Sequence, residues 1–209
     1  ALVGNSRGGF AIRNHVVLNG DSAEVSHAIL CGTPNRGVYV APINLGGEFN
    51  GGGTFLKRLN AGETDVVPGT AFLTLRSEKN DKFAQPDGFA LGRPGSPTGV
   101  GYDGPALRGA TNVTLGELAH REVAYPPRAF AEMYRFILGR APETLAIVPE
   151  PRPVLDGLVT GLPQGVATNR PIEGARVSVY RVDAQTGERR GEALHAATTK
   201  ADGRWGPVA

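Results

Sequence analysis

Gly4-Asn5-Ser6-Arg7-Gly8 sets a serine between two glycines in the pattern G-x-S-x-G. The apolar residues Ala1-Leu2-Val3 precede it, and residues 7–19 follow as a helix-compatible run with Ile12, Val16 and Leu18 among its apolar positions. In a strand–turn–helix context, that spacing holds the serine in a strained turn with its hydroxyl exposed above the strand ends. The glycines on either side are expected to let strand and helix approach closely. The Arg7 N–H then falls at a helix N-terminus, where partial positive charge collects and an oxyanion is stabilised. The bland alternative is a Gly-rich turn with an incidental serine, and the flanking strand and helix argue against it.

A serine hydroxyl is a weak nucleophile until an imidazole takes its proton, and the imidazole needs a carboxylate to fix its tautomer. His120 follows a short strand, Thr111–Leu115, and is the one histidine between Asp81 and the C-terminal β segment. The carboxylates after the strand Thr70–Leu75 are Glu78, Asp81, Asp87 and Asp103. Chain order serine, acid, histidine is one of the known triad orders. It makes Ser6 the nucleophile, Asp81 the acid and His120 the base, with the other three carboxylates as alternatives. His15 falls within a helix and His27 within a strand, which suits packing or an interface, and His195 lies in the C-terminal segment. Four isolated histidines carry no metal-ligand spacing, so neither metal nor cofactor is expected.

Other patterns carry less chemistry. Gly99-Val100-Gly101-Tyr102-Asp103-Gly104 fits G-x-G-x-x-G but lies between Pro97 and Pro105, without the strand and helix a dinucleotide site needs. The glycines of residues 46–53 lack the Gly-Lys-Ser/Thr of a phosphate loop and read as a mobile loop near the site. Asn112-Val113-Thr114 is a glycosylation sequon on what reads as a buried strand. Cys31, the single cysteine, excludes an internal disulfide and suits a small buried hydrophobe.

The elements that must position these residues alternate between strand and helix. Val25–Cys31, Thr70–Leu75 and Thr111–Leu115 read as strands, Thr54–Leu59 as a short helical piece, and residues 76–109 as a long Gly/Pro loop. Pro127 opens a last helix with apolar Phe130, Met133, Tyr134, Ile137 and Leu138, and Gly139 stops it. That alternation predicts an α/β domain with a parallel sheet over residues 1–139. Residues 140–153 hold four prolines and read as a linker. Residues 154–209 carry only strand and turn signals, with clean alternation over 175–182 and turns at Thr186-Gly187 and Ala201-Asp202-Gly203, which predicts an all-β, sandwich-like module. Both ends read as cut, so the chain is expected to be a fragment of a longer one and inactive alone.

Composition narrows the classes further. The chain has 209 residues, 40% hydrophobic and 20% charged, with a net charge of +2. No run approaches the roughly 20 apolar residues of a membrane span. Eighteen arginines and four lysines are scattered rather than striped, which argues against nucleic acid.

With these residues in place, the chain resembles the C-terminal half of serine α/β-hydrolases of the lipase/esterase kind, over roughly residues 1–140. The matching pieces are Val3 to Gly9, Gly32-Thr33-Pro34-Asn35-Arg36-Gly37, Asn80 to Gly88, and His120-Arg121-Glu122. The resemblance implies an esterase or lipase acting through an acyl-enzyme, with Ser6, Asp81 and His120 as triad, the Arg7 N–H as one oxyanion donor, and Thr33, Pro34 and Asn35 bordering the pocket. It implies an ester substrate, lipid or polymeric esters included, and a secreted or periplasmic location. The family's first strands and the loop giving the second oxyanion N–H have no counterpart in these residues. Gly174-Ala175-Arg176-Val177 and Ala201 to Trp205 resemble carboxypeptidase-regulatory-like or Ig-like modules, suited to binding a surface or polymer. The alternative function is a non-catalytic binding or surface-associated protein that uses a hydrolase fold as scaffold.

Overall fold

A computed structural model describes residues 1–20, 24–88, 93–161 and 168–209. The chain divides into two compact units, Ala1–Ala146 and Ile147–Ala209. The first unit carries a four-stranded parallel sheet in the order β1-β2-β3-β4, formed by β1 (Leu2–Asn5), β2 (His27–Cys31), β3 (Ala71–Arg76) and β4 (Thr111–Thr114). Among the described residues three α-helices accompany it: α1 (Arg7–Asn19), α2 (Thr54–Leu59) and α3 (Pro127–Leu138). A 3-10 turn, Glu122–Ala124, leads into α3.

The central strands read as continuous apolar runs because both faces of the sheet are covered. Ala28, Leu30 and Phe72 point to one face and pack with Ile12 and Val16 of α1 and with Leu107. Ile29, Cys31, Leu73 and Leu75 point to the other and pack with Val123 and with Ala129 of α3. The period of two along each strand decides which helix each residue meets.

In α3 the buried face differs from the expected stripe. Ala129 is buried, and Met133, Phe136 and Ile137 pack on the core, whereas Phe130 and Leu138 are 47% and 54% exposed. The helix has more apolar residues than the sheet can cover. Phe130 and Tyr134 are left on its flank, where their rings tilt together with centroids 5.6 Å apart. Gly139 closes α3 in the left-handed region, φ 68°, and donates its N–H to Arg135.

The sequon strand also departs from its reading as buried. β4 lies at the sheet edge with Asn112 exposed. The Asn112 amide is nonetheless fully used. Its oxygen accepts from Thr74 Oγ1 (2.6 Å) and the Leu107 N–H (2.9 Å), and its nitrogen donates to the Leu107 and Ala110 carbonyls.

A polar cluster that the sequence did not announce braces the loops of this unit. Arg13 of α1 is fully buried and donates to Asn35 Oδ1, the Leu59 carbonyl and Asn60 Oδ1. Burial lowers its pKa to about 10, with Asp65 opposing that shift and Arg36 adding to it, so it stays cationic at neutral pH. Asp65 is 3% exposed and accepts from Arg36 (2.5 Å) and from Arg108 through both backbone and side chain. Buried charges persist only when paired and hydrogen-bonded in this way.

In the second unit β5 (Arg176–Val182) and β6 (Arg189–Thr198) form an antiparallel pair with an irregularity between Val179 and Arg181. Asp183 holds the connecting turn by accepting from the Gln185 and Thr186 N–H groups. Isolated bridges join Leu155 to Val208, Leu158 to Arg204 and Thr160 to Pro171. The described residues here hold one two-stranded sheet, and the sandwich stays an expectation. No helix among the described residues is long and apolar enough to cross a membrane.

Candidate active site

Ser6 occupies the turn between β1 and α1 with φ 54° and ψ −120°, a region that L-residues avoid. The Ser6 N–H donates to the Cys31 carbonyl at 2.8 Å, which anchors the turn to β2. Gly4 makes the turn possible. A Cβ there would lie 2.6 Å from the Gly8 carbonyl carbon and 2.8 Å from the Gly9 nitrogen, both backbone atoms of α1. Gly8, the second glycine of the motif, faces open space. The expectation that both glycines permit the close approach therefore holds for Gly4 and not for Gly8. Gly9 permits a different close approach, of α1 to the loop after β2, because a Cβ on it would run into the Thr33 side chain.

His120 lies in the loop between β4 and the 3-10 turn. Ser77, just past β3, donates to the Gly116 carbonyl (2.9 Å) and accepts from the Leu118 N–H (3.0 Å), joining the acid-bearing loop to the histidine loop. Val123, fully buried, pins the 3-10 turn on the core. Asn5 donates to the Cys31 carbonyl at 2.9 Å and to the His120 carbonyl at 3.4 Å. Gly32, at φ 57°, passes beneath these groups where a Cβ would sit 2.8 Å from Val123 Cγ2 and 3.1 Å from the His120 carbonyl.

These supports bring three of the expected residues together. His120 Nε2 is 2.8 Å from Ser6 Oγ, and His120 Nδ1 is 2.8 Å from Asp81 Oδ1. Asp81 is 2% exposed and His120 7%. A buried carboxylate acts as acceptor, so Nδ1 carries the ring proton and Nε2 is free to accept from the serine hydroxyl. Asp81 Oδ1 also accepts from the Phe83 N–H at 2.9 Å, and the Phe83 ring meets His120 edge-on with centroids 4.6 Å apart. Glu78, Asp87 and Asp103 are exposed. Arg7 opens α1, so its N–H is one of the first-turn donors without an intrahelical acceptor. The Arg7 side chain pairs with Glu48 at 2.5 Å, on the Gly-rich loop.

The pocket-border residues separate. Pro34 lines an apolar hollow of about 300 Å³ with Ser6, Val38, Tyr39, Phe49 and Phe83. Thr33 is buried behind Gly9, and Asn35 is buried in the Arg13 cluster, donating to the Pro105 carbonyl at 2.7 Å. A second hollow of about 520 Å³ also has Ser6 in its lining, together with His120, Lys82 and Arg121. Sequence reasoning missed Asn5, Ser77, Phe83 and Asn50. Asn50 is buried and holds the Gly-rich loop by hydrogen bonds with residues 41, 43 and 52. Asn5 and Phe83 lie inside the quoted motifs, but the role of each residue depends on a partner distant in sequence or within an irregular loop.

The remaining candidates lie elsewhere. His15 is exposed and bonded to Asn19, and His27 packs edge-on against Phe136. Cys31 is buried, and burial raises its thiol to about 11. Among the described residues no three His, Cys, Asp or Glu side chains group as a metal site.

The geometry so far is that of a parallel α/β sheet with a hydrogen-bonded serine, histidine and aspartate at its strand ends. Comparison with known families adds one finding: the model of the lipase C-terminal domain matches residues 154–209. That match makes residues 154–209, the segment expected to resemble carboxypeptidase-regulatory-like or Ig-like modules, similar to the C-terminal domain of lipases. No curated protein matches the chain.

Proposed function

We propose that this protein is a serine hydrolase that cleaves carboxylic esters. The observation that carries the reading is the continuous hydrogen-bond chain from Ser6 Oγ through His120 to the buried Asp81 carboxylate. Ser6 Oγ attacks the ester carbonyl carbon while its proton passes to His120 Nε2. Asp81 faces the resulting imidazolium, and the Arg7 N–H receives the oxyanion. The tetrahedral adduct then breaks its C–O bond, and the Nε2 proton goes to the leaving alkoxide. Water attacks the acyl-Ser6 carbon, gives one proton to Nε2, and releases the carboxylic acid as that proton returns to Ser6 Oγ. This chemistry calls for no cofactor. The apolar hollow beside Ser6 suits the acyl group. The relation of residues 154–209 to lipases favours esters over amides. With this reading go an exported location and a role for the second unit in docking the enzyme on a surface or polymer.

Ser6→Ala tests the reading. In the full-length protein, on a short p-nitrophenyl ester, it should lower kcat by several orders of magnitude, the scale of removing a triad nucleophile. A fluorophosphonate should label wild type and not the variant. Retention of a tenth or more of wild-type activity, or an unlabelled wild type, would favour a binding protein on a hydrolase scaffold.

A further inference from the structure

Resting on that esterase reading, we infer that the leaving-group side of the site is built for an alcohol bearing an anionic group, a carboxylate or phosphate. The substrates are then esters of an apolar acid with an anionic alcohol.

The chemistry of acylation assigns the two hollows. The departing alkoxide oxygen takes its proton from His120 Nε2, so it must come within hydrogen-bond reach of that atom as the C–O bond breaks. The leaving group therefore extends along the side on which His120 is a wall. That is the larger hollow, where Lys82, Ala119, His120 and Arg121 contribute to the lining. The apolar hollow has Ser6 in its wall but not His120, which leaves it to the acyl chain.

The charged lining of the leaving-group hollow has one sign beside the triad histidine. Lys82 and Arg121 are both exposed, and among the described residues neither forms an ion pair. Among the described residues no carboxylate lines the hollow. Asp81 is buried and turned to His120 and the Phe83 N–H. Glu122, next to Arg121, accepts from the Ala119 N–H at 2.7 Å. The Lys82 ammonium lies 4.8 Å from the centre of the Phe83 ring, a ring that borders both hollows. That cation–π contact holds the ammonium at the rim of the site. Two unneutralised cations around a concave surface concentrate anions there.

The experiment uses the full-length protein and compares 3-carboxyphenyl, phenyl and 3-(trimethylammonio)phenyl butyrate, each kcat/KM divided by that ester's hydroxide-catalysed rate to remove intrinsic leaving-group reactivity. The anionic ester should exceed the neutral one by on the order of tenfold, the scale of two solvent-exposed charge contacts, and the cationic ester should fall below it. The anionic-to-neutral ratio should collapse toward unity in Lys82→Gln/Arg121→Gln and in about 1 M salt, where charges are screened within ~3 Å. Arg121→Lys should keep the preference. A flat profile, a preference for the cationic ester, or a preference that survives the double substitution would overturn the inference while leaving the esterase reading intact. If no ester is turned over above the level of Ser6→Ala, both fall together.

Discussion

The two glycines of the motif should respond oppositely to the same substitution. In Gly4→Ala the new methyl would lie 2.6 Å from the Gly8 carbonyl carbon and 2.8 Å from its oxygen. Carbon atoms rest comfortably at ~3.5 Å or more, so α1 and β1 must part by roughly 0.9 Å. The obstacle is helix backbone, which cannot rotate away as a side chain would. Overpacking of this kind costs about 1–3 kcal/mol, or a fall in Tm of ~3–10 °C for a unit of this size. The displaced backbone carries Ser6 and the Arg7 N–H, and a misplacement near 1 Å can cost about 10²-fold in rate. Gly8→Ala meets nothing within 4 Å and lies on the exposed first turn of α1. Alanine is better than glycine in a helix by up to ~1 kcal/mol, so Tm should hold or rise by as much as ~3 °C with activity kept. Scanning calorimetry and kcat/KM on p-nitrophenyl butyrate measure both. Equal losses in the two variants, or a tolerated Gly4→Ala, would refute the close-approach argument.

Three further outcomes follow from the same contacts. Asp81→Asn should lower kcat about 10⁴-fold by favouring the wrong histidine tautomer, whereas Asp87→Asn should leave it near wild type, and esterase kinetics on the two variants decide between them. Burial pushes the Asp65 carboxyl up, but hydrogen bonds from Arg108 and Arg36 outweigh it and hold the pKa below the ordinary carboxylate value. A depressed folded-state pKa gives stability that is present above the unfolded value near 4 and is lost as pH falls through the folded value. Tm should therefore drop on acidification below about pH 4, and Asp65→Asn should lower Tm at pH 7 by the equivalent of about 3 kcal/mol while flattening that acid limb. Cys31, buried and with its thiol raised to about 11, should resist Ellman's reagent at pH 8 until the protein is unfolded.

Much of the architecture is carried by local sequence. The strand runs around Ala28–Cys31 and Phe72–Leu75, the helix over residues 7–19, the piece Thr54–Leu59 and the Pro127 to Gly139 punctuation all follow from periodicity and from the backbone limits of proline and glycine. The motif around Ser6 and the chain order of Asp81 and His120 belong to the same level, since Ser6 directly follows β1 and the other two lie in the loops that follow β3 and β4. Tertiary structure alone decided the rest. Asp81 meets His120 across 39 residues and His120 meets Ser6 across 114, and nothing within a few residues of Asp81 distinguishes it from Asp87. The face of α3 that is buried depends on how much sheet lies under it, so Phe136 is packed and Phe130 is not. The buried Arg13–Asp65 cluster looks in sequence like ordinary surface charge, because its members come from two helices and three separate loops. Periodicity and turn chemistry act between near neighbours along the chain. The choice among equivalent carboxylates, faces and charges is made by groups that only folding brings within hydrogen-bond distance.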